Sequence, residues 1–82
     1  MKQIMQEKRL EFIEGKSAKF YQLQLIENEE EGNFDVMVDY GRIGTAGQRI
    51  VKAEGVEFTK ANAVFEKMLK EKTDKGYVEA SE

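Results

Sequence analysis

"NFDVMVDYGRIGTAGQRIVKAEG", residues 33–55, is the stretch whose reading decides the fold. Its first eight residues alternate: Phe34, Val36, Val38 and Tyr40 share one face, and Asp35, Met37 and Asp39 share the other. That is the period of a half-buried strand. Gly41, Gly44 and Gly47 follow at a strict spacing of three. What comes next settles the topology. A helix directly after the glycines would make them a phosphate loop in a doubly wound sheet. "GQRIVKAEG" instead reads as a second, shorter strand, so strand, turn and strand form an antiparallel unit. The spacing agrees, because a dinucleotide fingerprint needs G-x-G-x-x-G and this chain has G-x-x-G-x-x-G. "EGKSA" fails as a P-loop for lack of a glycine where Leu10 stands. "GRIG" has the form of a G-x-x-G clamp, but that clamp joins two helices.

Upstream, "KRLEFIEG" alternates Leu10 and Phe12 with charges, "GKSA" interrupts it, and "KFYQLQLIE" alternates Tyr21, Leu23 and Leu25 with Gln22 and Gln24. "NEEEGN" has nothing to bury and reads as an exposed acidic turn. Downstream the period changes. Ala61, Val64, Phe65, Met68, Leu69 and Lys72 fall on one helical stripe, with Thr59 as the expected N-cap and Gly76 as the expected residue after the C-cap. One helix cannot bury its stripe alone, so it must lie on the sheet. The fold predicted is α+β in two layers: a mostly antiparallel sheet of about four strands with one C-terminal helix on one face. The chain is expected to be a single domain over residues 1–82, with its core at about 8–77.

Composition narrows the chemistry. The chain has 82 residues, 40% hydrophobic and 35% charged, which is globular composition. It contains no histidine, cysteine or proline, so thiolate metal sites, disulfides and Ser-His or Cys-His nucleophile pairs cannot be built from it. No run approaches the roughly 18 apolar residues of a membrane span. The reading is a non-enzymatic protein with no catalytic residues, no cofactor and no metal, with a cytoplasmic location, no membrane partner and a monomeric state.

Net charge is −3, but it is unevenly spread. Residues 27–39 carry six acids and no base, whereas residues 40–53 carry Arg42, Arg49 and Lys52 and no acid. The glycine loop opens this basic stretch. Two readings of the loop stand side by side. In the first, the glycines only supply a turn, Tyr40 is the last inward residue of its strand and Arg42 is a solvated charge. In the second, Tyr40, Gly41 and Arg42 offer a stacking plate, close backbone approach and a phosphate fork. Arg49, Lys52 and Lys16 then add positive potential.

"KFYQLQLIENEEEGNFDVMVDYGRIGTAGQ" with "AVFEKMLKEKTDKGY" resembles the WGR domain, from about Leu10 to Tyr77. The family is named for a central Trp-Gly-Arg, and here Tyr40-Gly41-Arg42 stands in that place. Members occur in poly(ADP-ribose) polymerases, where the domain contacts DNA at strand breaks, and in bacterial regulator-like proteins. The resemblance implies an antiparallel sheet with one packed helix. It also implies stacking at a DNA end by Tyr40 and contacts to DNA and neighbouring domains by Arg42. Two partner classes follow: DNA ends or breaks, and, alternatively, a protein partner or neighbouring domain engaged without DNA.

Overall fold

The computed structural model describes residues 1–80. The elements in chain order are β1 (Lys2–Glu14), β2 (Ser17–Asn28), β3 (Asn33–Arg42), β4 (Gln48–Val56), α1 (Phe58–Asp74) and β5 (Val78–Glu79). All neighbouring strands pair antiparallel, in the spatial order β4-β3-β2-β1-β5. The described residues thus carry five strands where about four were predicted. The extra one, β5, has two residues and pairs Leu10 with Glu79 and Glu11 with Val78. Two residues show no periodicity, so nothing in their sequence marks them as a strand.

β1 begins at Lys2, well before the predicted start near Lys8. Its early half is hard to read because a bulge between Ile4 and Gln6 shifts the register against β2. The bulge breaks the alternation on which a strand assignment rests. The same sheet pairing begins at Ser17, so the break between β1 and β2 is a two-residue turn at Gly15 and Lys16, narrower than "GKSA".

α1 lies across one face of β2, β3 and β4. Leu10, Tyr21, Leu23, Leu25, Val36 and Val38 from the sheet meet Ala61 and Phe65 from the helix, all buried. Phe65 has no exposed surface. Burying a side chain of that size contributes about 1.5–3 kcal/mol. Val64, Met68 and Leu69 flank it, partly buried, on the predicted stripe.

The helix ends differ in how well they were foreseen. It starts at Phe58 with Glu57 as N-cap, not at Thr59, and Glu57 makes no side-chain cap bond. A tertiary contact accompanies this earlier start: Phe58 packs edge-on against Phe34, with ring centroids 5.3 Å apart. The other end matches expectation. Lys75 is the C-cap, Gly76 has φ +102°, and the Gly76 and Tyr77 amides donate to the Thr73 and Lys72 carbonyls, both at 3.1 Å. This is a Schellman closure, and only glycine adopts that φ freely. It delivers Tyr77 between the rings of Phe12 and Tyr21, at 5.4 and 6.3 Å.

The opposite face of the sheet has no helix. Even so, Asp35 on that face is only 2% exposed. Its carboxylate accepts from the Gly55 amide at 2.8 Å and from Asn28 Nδ2 at 3.0 Å, and Lys2 Nζ lies 3.6 Å away. One side chain thereby ties β2, β4 and the start of β1 together. Burial pushes the Asp35 pKa up, but the bonds from Gly55, Asn28 and Lys2 outweigh it and hold the carboxyl below its ordinary value. Its stabilising contribution is therefore complete above the unfolded pKa of 3.8 and is lost as pH falls through the lower folded value. Asp35→Ala, which leaves the Gly55 amide without its acceptor and removes one of the two bonds of Asn28 Nδ2, is expected to cost about 1–3 kcal/mol at pH 7. Urea unfolding of both proteins from pH 7 downward checks this: the gap should close in strong acid, and a gap constant to the lowest pH would contradict it.

Candidate nucleic-acid interface

The β2–β3 pairing sets Tyr21 opposite Tyr40, Phe20 opposite Gly41 and Lys19 opposite Arg42. Tyr40 continues the face of Val36 and Val38, so its ring packs half-buried against the core, and its hydroxyl donates to Gln48 Oε1 at 3.1 Å. It is both the last inward residue of β3 and a wall of the surface beyond it. Arg42 and Lys19, two residues further along their strands, share that face as a like-charged cross-strand pair. Such a pair costs stability unless something answers it.

The loop after β3 folds back on itself. Thr45 donates to the Arg42 carbonyl through its amide at 3.1 Å and its hydroxyl at 2.7 Å. Gly47, at φ +71°, then lies flat on the strand it has left. A Cβ there would meet the Tyr40 carbonyl and stand 2.7 Å from Phe20 Cζ. A Cβ on Gly41 would stand 2.8 Å from Gly47 Cα. Both glycines are required by contact of the loop with its own strand. The spacing of Gly41 and Gly47 thus reflects a close backbone crossing, and the turn serves to present what flanks it.

Lys16, Lys52, Tyr40, Gly41 and Arg42 line one cleft between the β1–β2 turn, the end of β3 and the last turns of α1. Arg49 is absent from it. Arg49 stands opposite Asp39 on the helix-free face and grips it with both nitrogens, Nε at 2.9 Å and Nη2 at 3.0 Å. Those bonds hold the Asp39 carboxyl below its usual pKa and raise that of Arg49. Reading residues 40–53 as an acid-free basic block overlooked that antiparallel pairing brings Asp39 across to Arg49.

The cleft instead gains three lysines that sequence reasoning left out: Lys19, Lys72 and Lys75. Lys72 is the deepest. Its ammonium lies 4.5 Å from the Tyr21 ring centroid and 5.5 Å from that of Tyr77. Burial first, then the charges of Lys75, Lys52 and Lys19, push its pKa below the ordinary lysine value. Glu71 and Asp74 are the acids at the rim, and Asp74 is bound to Lys70 at 3.1 Å. Among the described residues, side-chain ion pairs fall on Lys2, Lys8, Arg9, Arg49 and Lys70, and none falls on the six cations of the cleft. The described residues hold no group of acids able to bind a metal ion, and no helix is long and apolar enough to cross a membrane.

A family model of the WGR domain matches residues 6–82. The chain belongs to the WGR domain family. It is 36% identical over 55 residues to poly(ADP-ribose) polymerase 2 of Homo sapiens, a stretch covering 67% of this chain and 9% of that protein. A solved structure of a Bacteroides fragilis protein is similar with a TM-score of 0.77 and 34% identity, over 93% of this chain and 20% of that one. The chain therefore spans a small part of each of these relatives. In this WGR domain the central tripeptide is Tyr40-Gly41-Arg42, and it lies at the mouth of the cleft.

The contact of Gly47 with Tyr40 and Phe20 makes a direct prediction. Gly47→Ala should destabilise the WGR domain by about 1–3 kcal/mol through overpacking against backbone and ring. Gly44→Ala meets nothing within 4 Å and should cost less, through its φ of +97° alone. Thermal unfolding of the two variants decides it, and equal losses would contradict the crossing described.

Proposed function

We propose that this WGR domain is a non-catalytic nucleic-acid-binding module that takes phosphates in the cleft between the Tyr-Gly-Arg end of β3 and the C-terminal turns of α1. The carrying observation is that six cations, Lys16, Lys19, Arg42, Lys52, Lys72 and Lys75, converge there against two acids, Glu71 and Asp74, and that none of the six is in a salt bridge among the described residues. The chain as a whole is acidic, at −3, so this concentration of cations opposes the global charge. Clustered unpaired cations cost folding energy and are answered by an external anion.

The similarity to poly(ADP-ribose) polymerase 2 supports DNA as the polymer, and the family resemblance favours ends or breaks. Arg42 supplies a guanidinium fork for phosphate, which lysines cannot replace. Tyr40 offers a ring edge with less area than the family's tryptophan, already tethered by Gln48. Arg49 plays no part, since its charge is spent on Asp39 on the other side of the sheet.

Fluorescence polarisation with a nicked duplex tests this. Arg42→Ala should lose about 1–3 kcal/mol of binding and flatten the dependence of log affinity on log salt by about one unit. The double variant Asp39→Asn/Arg49→Ala removes a pair without changing net charge and should leave both quantities unchanged. Binding insensitive to salt, or equal losses in the two variants, would sink the proposal. A protein partner in place of nucleic acid would show as no binding to any duplex or single strand at low salt.

A further inference from the structure

The cleft is roomier and less polar than phosphate contact alone requires. Its volume is about 930 Å³, within the ~300–1,000 Å³ typical of sites for small molecules. Between the cations, Tyr40, Ile50, Met68 and Tyr77 present their partly exposed sides to it. A duplex laid over the mouth would touch the exposed Lys16, Lys19, Arg42, Lys52 and Lys75 and leave this apolar floor unused. Lys72 also points to a ligand that enters. It is half-buried, pinned over two tyrosine rings, and repelled by three other lysines, which Glu71 offsets only in part. An anion reaching that depth would relieve both its burial and its repulsion.

The required ligand combines a flat, weakly polar body with several negative charges at one end. We propose that the cleft is a binding site for a free nucleoside polyphosphate, with the base on the apolar floor and the phosphates on Lys19, Lys52, Lys72 and Lys75. Glu71 and Asp74 at the rim repel phosphate and accept hydrogen bonds from the ribose hydroxyls, which sets the direction in which the ligand lies. Apolar contact of the base with Tyr40, Ile50, Met68 and Tyr77 and charge-assisted bonds from lysine to phosphate are the two contributions to affinity. The site stands on its own geometry and does not depend on binding of nucleic acid.

Isothermal titration calorimetry of the full chain at low salt tests it with ATP, inorganic tripolyphosphate and adenosine. ATP should bind saturably at one site per chain, with tripolyphosphate and adenosine each weaker by about tenfold or more, since each lacks one of the two contributions. Lys52→Gln and Lys72→Gln should each weaken ATP about tenfold or more, as expected for loss of one charge-assisted bond. Lys67→Gln, on the exposed side of α1 away from the cleft, should change nothing. Lys72 packs on two rings, so its variant counts only if its melting temperature matches the parent, and Lys52→Gln decides otherwise. No saturable binding of ATP, tripolyphosphate binding as tightly as ATP, or an unchanged affinity in Lys52→Gln would each overturn the proposal. Failure with ATP while a nicked duplex still binds would remove this inference alone.

Discussion

The register between β2 and β3 is the constraint on which the molecule depends. With Tyr21 opposite Tyr40, Tyr21, Leu23, Leu25, Val36 and Val38 face α1, and Lys19 and Arg42 are carried past the helix end on the same face. A slip of one residue would turn Val36, Val38 and Tyr40 to the bare side and take Arg42 away from the lysines of the helix. Core and cleft are therefore fixed by a single pairing. The Gly41–Gly47 crossing locks its end, because the loop can lie on Phe20 and the Tyr40 carbonyl only if the strands are in this alignment. Asp35 locks the other end through Asn28 and Gly55.

The same pairing separates charge. On the helix-free face, charges are neutralised or bonded locally: Arg49 by Asp39, Arg9 by Glu11, and Glu7 by amide bonds from Gln24 and Gln22 that hold its carboxyl below the usual pKa. On the helix face, at the end of α1, six cations have no salt-bridge partner among the described residues. At physiological salt the screening length is about 8 Å. A phosphate arriving at the cleft thus feels mainly the nearby lysines and Arg42, and little of the distant acidic turn at Glu29, Glu30 and Glu31. Net charge describes the chain poorly as a ligand would meet it.

How much of this could be read in advance follows from which features are local. The alternation of Phe34 to Tyr40 and the stripe from Ala61 to Leu69 each report burial within one element, and the two-layer α+β fold followed from them. The early part of β1 was hidden by its bulge, and β5 by its length. Thr59 was the better cap by chemistry, but the helix begins at Phe58, whose ring meets Phe34 from another part of the chain. The site was legible only where residues adjoin in sequence. Tyr40, Gly41 and Arg42 were found together, whereas Lys19, Lys72 and Lys75 lie on β2, α1 and its C-cap and meet only in the fold. Asp39 and Arg49 were ten residues apart in blocks of opposite charge, and pairing made them neighbours. The lysine at position 72 was visible on the core stripe, the one charged residue there, which was the available hint that a cation lies against apolar surface.

The central claim is that the helix-side cleft, and not the bare face of the sheet, meets the phosphate. Mapping amide chemical-shift changes by NMR while titrating a nicked duplex at low salt tests it most directly. The account predicts changes concentrated at Lys19, Arg42, Lys52, Lys72 and Lys75, with Glu7, Gln22 and Arg49 unmoved. Changes centred on Glu7, Gln22 and Arg49, with the cleft silent, would contradict it.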